Sequence, residues 1–519
     1  MFELGNLLLL ILPSSFVLIL YISKSSSLRT TRANDQDHPQ SYPIIGHSFA
    51  ALKQKDRFQW LTKLLIDSPT STFIFRRPFG VKSIQTADPA VVEHILKTRF
   101  PIYQKGPFQK SVLGDLLGDG IFNADSETWK FQRQVASYEF NTKSLRKFVE
   151  DVVEHELTNR LLPMLSEAAK NGTILDLQNI LRRFAFDNIC KIGFGYDPEY
   201  LSPSLPEEKF AAAFEEAVTI STSRFQALFP VIWKITRFLN IGSEKRLKQA
   251  VVEIRGFANS LVRKKKQEMM KNTSDMSSKK PETEDLLSRF LKSGYSDEKF
   301  VTDIVISFIL AGRDTTSAAL TWFFWLLNNN DSVEEEIVHE IKQLREQKKE
   351  HCSVFEEVKD MAYIHAALCE SMRLYPPVAV DLKEAVMDDM LPGGIPIRKG
   401  TRVSYHPYAM GRLEKLWGVN WAEFKPQRWL EVESFEVKNV KRRFVPRDPY
   451  MYPVFQAGPR ICLGKEMAFL QMKMVVAGVL ERFRVIPVVK EGFEPVYVPQ
   501  LTAKMQGGLP VRIEERVKF

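Results

Sequence analysis

Residues 7–22 read LLLLILPSSFVLILYI, apolar apart from Ser14 and Ser15, and Phe2 to Leu4 extend the run. With its flanks it approaches the roughly 20 apolar residues that cross a bilayer as a helix. Glu3 precedes the run, while Lys24, Arg29 and Arg32 follow it. The positive-inside rule then predicts an N-terminus outside the cytoplasm and the rest of the chain inside. Basic residues on that side, with no small-residue cleavage site, argue against a removable signal peptide. A polar linker follows at residues 23–37, and two prolines and a glycine at residues 38–46 predict a stiff turn leading into the globule. From Arg57 onward apolar residues recur mainly at helical spacing. Val301, Ile304, Val305, Phe308 and Ala311 predict one long helix over 301–327. Strand-like stretches are few, at 72–75, 82–85, 401–405 and near the C-terminus. Residues 264–284, charged and Ser-rich, predict a mobile surface connection. The organisation is a membrane anchor at 1–22, a linker at 23–37 and one domain at 38–519, mainly α with a small β subdomain.

Composition narrows the class. A chain of 519 residues that is 44% hydrophobic can bury a core, which excludes global disorder. Its 72 basic and 63 acidic side chains leave +9, too mild an excess for nucleic acid and better suited to a membrane surface or an acidic partner. Cys190, Cys352, Cys369 and Cys462 include no CxxC pair, which excludes zinc ribbons and thioredoxin chemistry, and so sparse a set argues against a disulfide scaffold and favours a reducing compartment. Three Asn-x-Ser/Thr triplets, at Asn171, Asn272 and Asn330, are unsurprising by chance and would go unused in the cytosol. No two histidines stand at helical spacing, which argues against a histidine-based metal site. His94 and His155 are expected at the surface, His365 and His406 in the interior.

The sharpest chemical signal is the run Phe455-Gln456-Ala457-Gly458-Pro459-Arg460-Ile461-Cys462-Leu463-Gly464, followed by an apolar-periodic helix. A thiol at a helix N-terminus faces free N–H groups and the positive end of the dipole, which favours thiolate. Thiolate is what a soft metal wants. Gly458 and Gly464 would let amides approach the sulfur, Phe455 would cover it, and Arg460 could reach a carboxylate. Five fixed positions match by accident on the order of 10⁻⁴ of the time, so the run is not a coincidence.

The pattern Phe-x-x-Gly-x-Arg-x-Cys-x-Gly resembles the haem-binding loop of the cytochrome P450 superfamily. The resemblance implies a mostly helical fold, haem b held by Cys462, molecular oxygen and an electron-donating NADPH-dependent reductase. Ala311-Gly312-Arg313-Asp314-Thr315-Thr316 tests it independently. Small Ala311 and Gly312 would let a large group lie against the helix, and Thr315 can bond back to the Ala311 carbonyl. Asp314 and Thr315 resemble the superfamily's acid–alcohol pair, which would relay protons to the reacting oxygen. Glu370 and Arg373 form a Glu-x-x-Arg pair before Pro376-Pro377, and with Arg428 resemble the superfamily's structural ion network. Trp129 and Arg133, one helical turn apart, resemble its propionate-binding pair.

Longer runs, at 118–134, 185–198, 303–327 and 455–473, resemble the plant fatty-acid ω-hydroxylases of P450 family 94. The likeness implies hydroxylation at or near the far end of a fatty chain, or of a jasmonoyl–amino acid conjugate in hormone turnover. It also implies an endoplasmic reticulum location with the catalytic domain in the cytosol. Ala379 and Leu382 depart from the Pro and the small hydroxyl residue expected there, on a stretch that would line the substrate pocket. An oxygen-independent hydroperoxide isomerase and a non-catalytic haem sensor are rival readings; the Asp314–Thr315 pair and the regular cysteine loop favour the monooxygenase. Arg76, Arg77 and Arg224 are candidate carboxylate partners. Residues 225–233 read equally as a membrane-dipping lid or a buried helix. Lys130, Arg133, Lys143, Arg146, Lys147 and Lys441-Arg442-Arg443 could steer an acidic reductase.

Overall fold

The computed structural model describes residues 39–516 apart from 40, 43–44, 203, 206–208, 275–284, 295–296, 348–352, 437–438 and 491. The expected anchor, its linker and Cys352 lie outside the described residues. Among the described residues no helix is long and apolar enough to cross a membrane.

A small sheet forms early. Strands β1 (Thr72–Arg76) and β2 (Lys82–Thr86) pair antiparallel, and β3 (Tyr103–Gln104) follows. Helices α1 (Gly106–Leu117), α2 (Ser126–Ser137) and α3 (Leu177–Phe194) come next. The Asp176 carboxylate caps α3 by accepting the Gln178 N–H, and Gly195 ends it in the left-handed region. Then run α4 (Lys209–Gln226), α5 (Pro230–Leu239), α6 (Gly242–Ser274), α7 (Glu298–Leu327) and α8 (Ala362–Leu374). Strands β4 (Asp381–Ala385) and β5 (Arg402–Tyr405) complete the first sheet in the order β1-β2-β5-β4-β3, with β2 and β5 parallel. Helix α9 (Lys465–Arg482) leads into β6 (Phe483–Pro487), which pairs antiparallel with β7 (Pro510–Glu515). The mainly helical domain with a minor sheet is what the periodicity predicts.

Helix α7 organises the molecule. Its 30 residues span about 45 Å, and Asp297 caps it through the N–H groups of Lys299 and Phe300. Apolar residues surround it on nearly every side: Trp322 and Phe323 join the core shared with α3, α8 and α9, while Ile304 and Ile309 join that shared with α1, α4 and α6. Hydroxyls inside so apolar a helix need local partners. Ser307, Thr315 and Thr321 each donate to the carbonyl four residues back, at 2.8, 2.5 and 2.7 Å.

Two local expectations are corrected. The segment from Lys264 is not a loose connection at its start, because α6 continues helically to Ser274. Residues 230–239 form an amphipathic helix that buries only Trp233 and leaves Ile232, Ile235 and Phe238 facing solvent, so the buried-helix alternative is excluded.

Candidate active site

The cysteine loop folds tightly. A 3₁₀ turn over Gly458–Arg460 precedes Cys462, whose N–H donates to the Phe455 carbonyl at 2.8 Å. Gly458 has φ +63°, and a Cβ there would lie 2.1 Å from the Leu96 carbonyl oxygen. Its glycine therefore serves the turn and the close approach of Leu96. The Gly464 N–H does reach the sulfur. The Phe455 ring packs at 5.1 Å against Phe469 of α9 and borders the same cavity as Cys462.

Helix α9 begins three residues beyond the cysteine, and thiolate is not favoured by position alone. Burial pushes the Cys462 thiol up, against the Gly464 N–H, Arg133 and Lys465, which pull it down. The sulfur is enclosed by protein on the loop side but opens onto the cavity, where a coordinated metal would remove its proton outright.

That cavity, about 1060 Å³, runs between the cysteine loop and α7. Ala311, Gly312, Thr315 and Thr316 form the opposite wall. Gly312 also meets α3, since a Cβ on it would stand 2.6 Å from Ile189, so its small size serves helix packing as well as the cavity. Thr315 faces the cavity. Asp314, the next residue round the helix, faces a separate polar pocket of about 30 Å³ with Arg182, Glu215, Gln500 and Lys504. The acid and the alcohol thus sit on different sides of one helix, and Asp314 contacts Arg313 at 3.5 Å.

Cations gather at the cysteine end. Arg460 donates to the Ala124 carbonyl and to Asp125, both at 2.9 Å, and its guanidinium stacks 4.5 Å from the Trp129 ring. Its Nε is buried with no partner among the described residues. Arg133 lies 5.8 Å from the same ring and donates to the Ile461 carbonyl at 2.8 Å. Trp129, Arg133 and Arg460 all line the cavity.

A further charged cluster, spread over four distant stretches, carried no local signal in the sequence. Asp381 on β4 takes Lys105 at 3.2 Å, Lys383 at 2.5 Å, the Tyr405 hydroxyl at 3.0 Å and Gln456 Nε2 at 2.7 Å. Burial pushes the Asp381 carboxyl up, but Lys105 and Lys383 outweigh it and hold it well below the usual carboxylate range. Lys383 is pushed down to about 7 by burial, against the attraction of Asp381. Lys105, Lys383, Arg133 and Arg460 line the cavity with Asp381 the acid among them. This positive excess, the unpartnered Arg460 Nε and a sulfur opening onto the cavity fit a dianionic porphyrin held by Cys462.

Beneath the site Glu370 is fully buried. Arg373 clasps it in two parallel bonds of 2.8 Å, Arg428 Nε adds one at 3.0 Å and Trp429 Nε1 another at 2.9 Å. Arg373 also holds the carbonyls of Gly411 and Glu423, and Arg428 that of Trp417. The network ties α8 to the segment that precedes the cysteine loop, and it stands outside the cavity lining.

Elsewhere, His406 is buried and meets Gln85 at 2.9 Å, while His365 stacks 3.9 Å from Phe469. His94 is not a plain surface residue, because it pairs with Asp389 at 2.8 Å with 15% of its side chain exposed. Arg224 is fully committed, to Glu244 and to Asp115, and Arg76 is exposed. Arg77 lines the cavity.

A thiol loop facing a hydroxyl-bearing long helix across a cation-edged cavity defines the haem-thiolate class, and the chain belongs to the cytochrome P450 family, whose model matches residues 38–508. It is 58% identical to cytochrome P450 94A2 of Vicia sativa, over 92% of this chain and 91% of that one. It is 46% identical to cytochrome P450 94B1 of Arabidopsis thaliana, over 99% and 98%. The crystal structure of the cytochrome P450DA haem domain shares the fold, with TM-score 0.72 at 20% identity over 92% of this chain and 97% of that one.

Proposed function

We propose that this chain is a monooxygenase that hydroxylates a fatty acid, or a fatty-acid-derived substrate, at or near the end of its chain. The observation that carries this reading is one cavity with two kinds of wall. Cys462 and Thr315 border it at one end, and Phe108, Leu113, Phe122, Phe225, Phe308 and Leu501 line an apolar stretch that suits an acyl chain.

Haem b, bound through Cys462, supplies reduction of dioxygen and oxidation of the C–H bond. The protein's own residues position, neutralise and deliver protons. Trp129, Arg133 and Arg460, with Lys105 and Lys383, would hold the propionates. One oxygen atom enters the product and the other leaves as water, which takes two protons. Asp314 borders a pocket with room for about one or two waters, a source of protons from the outer side of α7. Thr315 stands at the inner side, its hydroxyl anchored to the Ala311 carbonyl, and presents its oxygen to the cavity.

An anchor at residues 7–22 places the domain against the cytosolic face of the endoplasmic reticulum. The exposed apolar face of α5, with Ile232, Ile235 and Phe238, would dip into that same surface. An NADPH-dependent reductase supplies the electrons. Microsomes containing the protein and a reductase, given a fatty acid or a jasmonoyl–amino acid, are expected to return a hydroxylated product located by mass spectrometry near the chain end. Turnover of neither substrate, with haem incorporated, overturns the acyl reading.

A further inference from the structure

One face of the small sheet extends the cavity away from the cysteine. Arg77, Ser83, Gln85, Arg402 and Ser404 occupy alternate positions on neighbouring strands and all line it. The sheet register gives the distance. Tyr405 marks the cysteine end, because its hydroxyl bonds to Gln456 of that loop. Arg402 stands three residues back along β5 and pairs with Ser83. The Arg77 N–H donates to the Val81 carbonyl at 2.7 Å, two residues further back in the same register. At about 3.3 Å per residue these positions lie about 10 and about 17 Å from Tyr405.

Gln85, nearer the cysteine end, is satisfied by bonds to Ser83 and to His406. Neither the Arg77 nor the Arg402 guanidinium is in an ion pair among the described residues. Arg77 Nε is buried with no hydrogen-bond partner among the described residues. Arg402 packs 4.1 Å from the Phe108 ring, and the Glu384 carboxylate attracts it. The acid paired with it across the strands, Glu384, accepts the Phe108 N–H. Two cations against one carboxylate leave one net positive charge in a half-buried site. Burial, and then the neighbouring Arg402, push Arg77 down to about 10, so it stays charged at neutral pH.

We propose that Arg77 and Arg402 form a carboxylate anchor, holding the head group of the substrate at the sheet end while its tail extends towards Thr315. The inference rests on the acyl-substrate reading and adds a reason for oxidation at the far end of the chain: the tail end lies beside Thr315 because the head is tied.

The test compares dodecanoic acid, its methyl ester and N-dodecanoylglycine as ligands of the haem-loaded protein, with Arg77→Gln, Arg402→Gln and Arg77→Lys. Each Gln variant is expected to weaken binding of a carboxylate by about 10- to 100-fold and to leave the ester unmoved, with Arg77→Lys intermediate. The hydroxyl is also expected to spread to positions further in along the chain. Loss for the free acid, the glycine conjugate or both supports the anchor and says which head group it takes. Equal weakening of acid and ester, or no weakening of either acid, overturns it. A wild-type protein that binds neither acid nor ester overturns the acyl reading itself, and the anchor with it.

Discussion

At the scale of single residues the site divides by what each group faces. Cys462 opens onto the cavity, so Cys462→Ala is expected to abolish the red-shifted Soret band of the reduced carbon monoxide complex and all oxygenation; survival of either removes the thiolate assignment. Thr315 presents its hydroxyl to the same cavity while Asp314 faces the polar pocket. Thr315→Ala should keep NADPH oxidation while product per NADPH falls, by up to the 10²-fold or so typical of a positioned proton donor. Fully coupled turnover would remove Thr315 from the relay. Two histidines set an acid limit. Burial pushes His406 down to about 3, and burial with Lys473 and Lys465 pushes His365 down to about 2. Both are neutral in the folded protein across the working range. Below about pH 6.5 the unfolded chain takes up these protons and the folded one does not, so the contribution of these two histidines to stability is flat above that pH and falls below it. The slope is up to about 1.4 kcal/mol per pH unit for each histidine. Measured by urea unfolding relative to His406→Gln, the wild type should lose stability between pH 7 and pH 5.

At the scale of elements, the sequence periodicity is enough for the body of α7 but not for what it packs against. Gly312 reads as room for a cofactor; the crossing of α3 makes it also room for Ile189. Gly312→Val is therefore expected to cost about 1–3 kcal/mol by overpacking, and Ile189→Ala in the same chain should recover part of that. Independent, additive losses in denaturation would show that the two helices do not meet there. Glu370, Arg373 and Arg428 join α8 to the segment before the cysteine loop. Glu370 and Arg373 are fully buried as a pair, so Glu370→Ala leaves an uncompensated guanidinium and should cost about 3–5 kcal/mol, read as lost folded, haem-binding protein. Unchanged stability would reduce the network to a bystander.

At the scale of the whole molecule, candidate residues that lie close to one another in sequence were legible as motifs. The cysteine loop, the Ala311–Thr316 stretch and the Glu370–Arg373 pair each lie within one turn or one helical repeat, so local spacing expresses their geometry. The class of the fold was legible for the same reason, because helical periodicity is a local property. Tertiary structure alone decided the rest. Lys105, Asp381, Tyr405 and Gln456 meet only because β4 and β5 pair and the cysteine loop packs against them. Of three candidate arginines, packing committed Arg224 to Glu244 and Asp115, strand alternation turned Arg76 outward, and the same alternation turned Arg77 into the cavity. Whether a charge is spent on a neighbour or left for a ligand depends on contacts between segments far apart along the chain, and those contacts exist only once the chain has folded.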